Sequence, residues 1–461
     1  MNKFKEEILM IAESAEGKTF GDIDQLNLLS EKGNKGALGH VIEENIFNYR
    51  RNSNSEMDFP KAKMELKVTP YKKNKNGTYS AKERLVLNII DYMKEYKFEF
   101  YESTVWKKCS DILLFLYEYK KKITRDQFKI THTYDLDFND ESHIKDLKII
   151  KQDYNIIRDK ILSGNAHTLS EGDTMYLGAC TKGATAASSF RKQPFNDAKA
   201  KQRAFSFKTT YMTQLIRSII LSEKNETIFL DEDLNENLSF EENIRQRVSK
   251  YFGMSVKELK EELGVETKAK NANEVIFSRM LNVSTKLSNT DEFLKANIIP
   301  KYIRVNSNGS ITESMSFPTF KYEDIVKQTW HKSELYEYFN TQKFLFVIFK
   351  YNISGDLLFQ DIKLWNMPND ILENEIVKVF NKTKEIIKSG NIVRKITPKG
   401  KRLTNLPDKR FNNYAHVRPH ARNRDDSFLL PIPDKLTGLN KYTKHCFWLN
   451  NNYIKDIISI H

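Results

Sequence analysis

The chain has 461 residues, a formal charge of +13 and a pI near 9.2, with 39% hydrophobic, 29% charged and 12% aromatic residues. That balance excludes a disordered or fibrous chain and predicts two domains of roughly 200 residues, each with its own core. It also favours a polyanionic partner, because each lysine or arginine that neutralises a phosphate releases a condensed counterion.

The start, MNKFKEEILMIAESA, carries acids where a secretory signal needs an unbroken apolar run, and no apolar stretch reaches the length of a membrane span. A cytoplasmic protein with no membrane partner is expected. Cys109, Cys180 and Cys446 lie far apart without a CxxC pair, which indicates neither a disulfide framework nor a zinc site. Further along, Leu38, Val41, Ile42 and Ile46 have the i, i+3, i+4 spacing of a buried helix face. Met64 to Val68 alternates like a strand, Asn76-Gly77 is a hairpin signal, and Leu85 to Ile90 and Ile112 to Tyr117 are apolar runs suited to buried strands. Each half reads as a mixed α/β domain, a sheet flanked by helices. The acidic stretch 223–242, EKNETIFLDEDLNENLSFEE, is read as a linker between domains 1–225 and 226–461. Basic residues concentrate in two segments. Lys182 to Arg217 has eight against Asp197, and Arg394 to Arg424 has ten against Asp408.

The halves share a pattern. Ala15 to Ile23 matches Tyr251 to Leu259 at an offset of 236, Asp58 to Ala62 matches Glu292 to Ala296 at 234, and Lys67 matches Lys301. Asn76-Gly77 matches Asn308-Gly309 at 232, and Phe205 to Tyr211 matches Phe447 to Tyr453 at 242. Blocks in one order at slowly drifting offsets indicate duplication.

In Met64-Glu65-Leu66-Lys67-Val68 the period of two sends Glu65 and Lys67 to one face and the apolar side chains to the other. Asp58 lies just before Pro60, where a turn can bring a second carboxylate to Glu65. Two close carboxylates repel unless a cation lies between them, and hard oxygen ligands on an open site suit Mg²⁺. Such an ion polarises a phosphate and acidifies a bound water, while Lys67 orients the nucleophile or neutralises charge in the transition state. The same D-x6-E-x-K spacing also fits a solvated strand face.

The blocks GALGHVIEENIF, DFPKAKMELKVTP, STVWKKCSDILLFL and FSFKTTYMTQLI resemble, in order, those of the MutH family of mismatch-repair nickases. With KNGTYSAKERLVLNII, LSEGDTMYLGACTKGA and AKAKQRAFSFK the resemblance extends to two-domain type II restriction endonucleases that cut at GATC. It implies two tandem MutH-like domains of the PD-(D/E)XK nuclease class. It also implies metal ligands Asp58 and Glu65, a catalytic Lys67, and Glu43 and Lys108 as companions, with Glu44 and Lys107 as their neighbouring alternatives. Double-stranded DNA containing GATC would be the partner, cut before the G with Mg²⁺ as cofactor. A mismatch-repair nickase and a non-catalytic GATC-binding protein are the rival functions. One centre per chain implies a monomer that either pairs transiently on DNA or cuts the strands in sequence.

Under the internal alignment Ile299 replaces Glu65, Phe277 falls near Glu43 and Asn340 near Lys108, so the second half is expected to bind DNA without cutting it. The resemblance places Arg418-Pro419-His420 on a base-reading loop; an arginine fork suits guanine O6 and N7, and Asn423 suits adenine. Arg422 lies on the same loop. A generic phosphate-binding loop is the alternative. In the first half Leu169-Ser170 is taken as the counterpart of Arg418-Pro419, and the Gly- and Ser-containing insertion with Lys182, Arg191 and Lys192 as the candidate reader. His167 and His416 are read as structural.

Overall fold

The computed structural model describes residues 3–31, 33–34, 36–49, 56–183, 189–230, 233–267, 269 and 271–459. Among them no helix is long and apolar enough to cross a membrane. The chain forms two compact units. The first comprises Met1–Phe240 with Ser288–Asn297, and the second Glu241–Leu287 with Ile298–His461.

Strands of the first unit are, in chain order, β1 (Glu65–Lys73), β2 (Tyr79–Ala81), β3 (Leu85–Ile89), β4 (Asp111–Glu118), β5 (Ile130–Asp137), β6 (Leu177–Thr181), β7 (Phe190–Gln193), β8 (Asn196–Lys201) and β9 (Arg203–Phe207). One sheet has the order β2-β1-β4-β5, with β1 and β4 parallel and the other pairs antiparallel. Parallel neighbours need a long crossover, which residues 74–110 supply. A strand buried on both faces reads as continuous apolar sequence, and Ile112 to Leu116 are indeed fully buried. The run Leu85 to Ile90 behaves differently: β3 joins an antiparallel sheet β3-β9-β6, its burial alternates, and Ile89 is 48% exposed. Val41 and Ile42 pack fully into the core with Phe20, Met64, Leu66, Leu113 and Phe115, while Leu38 and Ile46 cover its margin.

The second unit has β10 (Ile298–Val305), β11 (Met315–Phe320), β12 (Lys343–Tyr351), β13 (Leu357–Asn366), β14 (Val393–Ile396), β15 (Arg402–Thr404), β16 (Ala415–Pro419), β17 (Ser427–Leu429), β18 (Lys441–Thr443) and β19 (His445–Leu449). Its sheets repeat those of the first unit. β10 and β12 pair in parallel and β12 and β13 antiparallel, as β1, β4 and β5 do; β11-β19-β16 repeats β3-β9-β6. Smaller details recur at the same offsets. Thr19 and Ser255 each form a capping box, with Asp22 and Glu258, and each makes an isolated bridge, to Lys129 and Leu358. Gly77 and Gly309 both take positive φ, 84° and 78°, in turns closed by Asn74–Thr78 and Asn306–Ser310 side-chain hydrogen bonds. Glycine is suited to that backbone region because it has no Cβ.

Two charge clusters inside the first unit tie distant segments together. Lys5, on the helix Lys3–Glu13, donates to Asp111 at 2.6 Å and Asp137 at 2.7 Å, with Asp135 at 3.0 Å. It thereby fixes that helix to β4 and β5. Lys295, on the helix Asp291–Ala296, pairs with Asp146 at 2.8 Å and Asp291 at 2.7 Å. Burial disfavours its charge, but the two aspartates hold the ammonium above its ordinary value. The stretch read as a linker packs into this unit as well. Ile228, Phe229 and Leu234 are buried, and along the helix Ile144–Leu162 Lys148 donates to the Leu234 carbonyl, Gln152 to the Leu238 carbonyl, and Lys151 pairs with Glu236.

Lys295→Met removes the counter-charge of the buried Asp146, which is left with the Tyr211 hydroxyl, and of the partly buried Asp291, and should destabilise the first unit by about 3 kcal/mol, measured as a loss in urea midpoint at unchanged slope. Burial raises the Asp111 carboxyl from 3.8 to about 7. A carboxyl that binds its proton more tightly when folded contributes stability fully below its unfolded value, and loses it as the pH rises through the folded one. Between pH 4 and 7.5 the wild type should therefore lose melting temperature relative to Asp111→Asn by about 3 °C or more. A pH-independent gap between the two proteins would show that Asp111 does not titrate there.

Candidate active site

The chain turns sharply after Asp58. Phe59 and Met64 bond to each other through both backbone pairs, at 3.0 and 3.3 Å, and Lys63 within the turn has φ 56°. A lysine in the left-handed region is uncommon and costs of order 1 kcal/mol. What the turn achieves is contact: Asp58 Oδ2 accepts from the Leu66 backbone N–H at 2.9 Å, so Asp58 lies against the first residues of β1. Leu66 faces the core with Met64 and Val68, and Glu65 and Lys67 take the opposite direction.

Glu65 is 4% exposed, and both of its oxygens are engaged. Lys67 Nζ donates to Oε1 at 2.6 Å and Lys108 Nζ to Oε2 at 2.9 Å. Lys108 arrives from the short helix Trp106–Cys109 that leads into β4, and it also donates to the Glu56 carbonyl at 2.5 Å. The parallel register, Glu65 opposite Ile112, brings that helix beside β1. Lys107 is exposed, so of the two adjacent lysines Lys108 is the one that reaches Glu65.

Glu43 lies on a π-helical turn, Ile42–Ile46, that continues the helix Ala37–Val41. Wide turns of this kind redirect side chains and occur often at functional sites. Burial raises the Glu43 carboxyl above its ordinary value, and Asp58 adds repulsion that Lys67 opposes. The Asp58 carboxyl is likewise raised, first by burial and then by Glu65. Glu43, Asp58, Glu65, Lys67 and Lys108 thus form one electrostatic group within the first unit. Partly buried carboxylates whose affinity for protons is raised by burial first and by mutual repulsion second are a donor set that fits a hard divalent cation.

A different group has the tighter spacing. Among the described residues, Asp111, Asp135 and Asp137 offer three oxygens within 4.8 Å of one another. The Lys5 ammonium already bonds to these carboxylates and supplies a counter-charge, so the cluster serves to dock a helix.

The second unit lacks the arrangement. Ile299 stands opposite Phe344 as Glu65 stands opposite Ile112, and offers no oxygen. Glu292, at the Asp58 position, belongs to the first unit, where its carboxylate accepts from Thr227 and from the backbone N–H of Ile228 and Phe229. Lys301 is pushed below its ordinary value by burial. Phe277 is fully buried against Tyr302 and Phe359, and Asn340 lies on the helix Glu334–Thr341.

The basic candidates fall on corresponding loops. Arg418, on β16, places its guanidinium 3.9 Å from the centre of the Trp448 ring, and His420 meets the same ring edge-on at 5.5 Å. His420, Arg422 and Asn423 line an open cleft with Arg424 and Lys444, its volume about 780 Å³. The Asn423 side-chain oxygen accepts from the backbone N–H of Asp425 and Asp426 and so shapes the loop turn. Trp448 escaped notice in the sequence because its partner Arg418 is far away along the chain. His416 is buried and pairs with Asn450 at 2.6 Å, and Gln193 bonds to His167 at 3.0 Å.

One expected equivalence is corrected. Leu169-Ser170 is not the counterpart of Arg418-Pro419: both are buried ahead of β6, and the Leu169 carbonyl accepts from Arg203. Because β6 pairs with β9 as β16 pairs with β19, Cys180-Thr181 occupies that place, and the loop from Lys182 corresponds to the loop from His420. Lys182 follows β6 directly, while Arg191 and Lys192 lie exposed on β7 of the β7–β8 hairpin. The intervening 184–188 lie outside the described residues.

A family model described as the DNA mismatch repair enzyme MutH matches residues 47–153, a span that includes Asp58, Glu65, Lys67 and Lys108. The chain is also similar to the type II restriction enzyme Sau3AI of Staphylococcus aureus, with 37% identity over 459 positions that cover 92% of this chain and 93% of that enzyme. The chain belongs to the MutH-like type II restriction enzymes. It is a site-specific deoxyribonuclease of that family, and the matched span encloses the strands β1 and β4 that assemble the group around Glu65.

Proposed function

We propose that the first unit hydrolyses phosphodiester bonds of double-stranded DNA at 5′-GATC-3′, before the G, with Mg²⁺ held by Asp58 and Glu65. The convergence of Glu43, Asp58, Glu65, Lys67 and Lys108 in one unit supports this most directly, because it combines cation-binding oxygens with ammonium groups able to meet a phosphate. When bound, the ion supplies Lewis acidity and an acidified water. Lys67 orients the attacking water or offsets charge gathering on the phosphate, and Lys108 offsets charge from the β4 side. Glu43, its carboxyl raised by burial and Asp58, would take a proton from the attacking water or hold it in line.

The second unit is proposed to bind DNA, and a second GATC in particular, without cutting it. Its Arg418 guanidinium lies over the Trp448 ring, which limits the rotamers it must lose when it pairs with a base edge. Lys182, Arg191 and Lys192 are the corresponding contacts of the first unit, with Arg422 and His420 in the second. A monomer in solution that pairs transiently on DNA, or that cuts the strands in turn, accounts for one centre per chain.

Asp58→Ala and Lys67→Ala should each lower magnesium-dependent cleavage of a GATC plasmid on the order of 10²–10³-fold, read from the rate of linear product with end sequencing to fix the cut. Unchanged cleavage by either variant would remove Asp58 or Lys67 from the centre. Accumulation of nicked circle without linear product would indicate a strand-nicking enzyme, and tight GATC binding without cleavage in Mg²⁺ or Mn²⁺ a binding protein. Arg418→Ala should slow cutting of a two-site plasmid by about tenfold and leave a one-site plasmid less affected. Equal effects on the two substrates would count against a second site.

A further inference from the structure

Each oxygen of Glu65 is hydrogen-bonded to a lysine, Lys67 on Oε1 and Lys108 on Oε2. The two ammoniums come from different directions. Lys67 shares strand β1 with Glu65 and emerges on the same face two residues along. Lys108 comes from the helix before β4, and it joins Glu65 to the Glu56 carbonyl, on the segment that leads into Asp58. It therefore ties Glu65 to the segment that leads into Asp58, the other carboxylate proposed as a metal ligand.

A cation held by Asp58 and Glu65 would meet two ammoniums already bonded to the Glu65 oxygens, and because their charge repels its own, moving one of them away favours the cation. Withdrawing an ammonium from a carboxylate that is 4% exposed is unfavourable unless the ammonium finds another anion. Lys5, by contrast, is held by three aspartates at once, Asp111, Asp135 and Asp137. Lys108 finds another anion whenever a DNA backbone phosphate enters the site, since an ammonium is a compact donor well suited to phosphate.

We infer that Lys108 acts as a gate that couples the metal to DNA: it holds Glu65 in the free protein and moves to a backbone phosphate on binding, which opens Glu65 to the divalent cation. This rests on the assignment of Asp58 and Glu65 as metal ligands. Coupling of this kind is reciprocal, so the metal tightens DNA binding by the same factor as DNA tightens metal binding. It keeps the centre without its full metal complement until a duplex is present.

The test uses the full chain with Mn²⁺ as probe, free Mn²⁺ being followed by electron paramagnetic resonance. The duplex carries GATC with the bridging oxygen of the scissile linkage replaced by methylene, which retains the charge and blocks hydrolysis. Wild type should bind Mn²⁺ about tenfold or more tightly with duplex than without it. Lys108→Met without DNA should already bind about tenfold more tightly than free wild type, and gain little from duplex. Lys108→Gln serves if the methionine variant unfolds, with circular dichroism and melting temperature as the check. If free wild type binds Mn²⁺ as tightly as the complex, or if neither Lys108 variant binds more tightly than wild type without DNA, the gate is overturned. The second result would leave direct ligation by the DNA phosphate as the source of any gain. If Mn²⁺ binding, with duplex present, is the same in wild type and Asp58→Asn, the metal assignment itself fails, and the gate with it.

Discussion

The parallel pairing of β1 with β4 is the constraint on which the candidate centre depends. It places Glu65 opposite Ile112, and so brings the helix that ends at Cys109 within reach of the β1 face that carries Glu65 and Lys67. A one-residue slip would turn Glu65 and Lys67 into the core and Leu66 out of it. The apolar sequence on both sides of the ladder makes such a slip costly, since burial of each Leu, Ile or Phe side chain is worth roughly 1.5–3 kcal/mol. Chemistry on one face is therefore held in place by packing on the other. The turn Phe59–Met64 completes the arrangement by returning Asp58 to the start of the same strand.

The second unit shows what the same ladder does without that chemistry. β10 and β12 retain the parallel register, the Asn-Gly turn and the capping box, yet Ile299 presents a hydrocarbon where Glu65 presents a carboxylate. The acid that remains, Glu292, satisfies backbone N–H groups within the first unit. Once that carboxylate serves a buried structural purpose it is unavailable to an ion, and a partial return of the centre by a single substitution at Ile299 would not restore a pair. In the second unit Arg418, on β16, rests over an indole ring rather than on a carboxylate.

Lysine has two roles in the first unit. Lys5 and Lys295 are enclosed by aspartates and bind segments together; Lys67 and Lys108 meet a carboxylate that lies beside other acids. The distinction does not lie in the ion-pair distances, which are alike. It lies in the acids around them: three aspartates surround Lys5 and two hold Lys295, whereas Lys67 and Lys108 share the single carboxylate of Glu65.

Much of this was present in the order of residues. Alternation in Met64 to Val68 determined the face that carries Glu65 and Lys67, the unbroken run from Ile112 to Leu116 indicated a strand buried on both sides, and the repeated Asn-Gly and cap motifs indicated duplication. These features are local or periodic, so backbone geometry alone connects them to structure. Tertiary structure decided the rest. Which of Lys107 and Lys108 meets Glu65 depends on the β1–β4 register, and the pairing of Arg418 with Trp448 depends on β16 lying against β19. The high charge of the acidic stretch after 223 suggests a linker, but its apolar side chains Ile228, Phe229 and Leu234 are buried and its Leu234 and Leu238 carbonyls accept from Lys148 and Gln152 of the helix Ile144–Leu162. The place of Leu169-Ser170 likewise follows from strand pairing, which contacts distant in sequence set: β6 meets β9 as β16 meets β19, and that puts Cys180-Thr181 opposite the residues that match the partners of Arg418-Pro419.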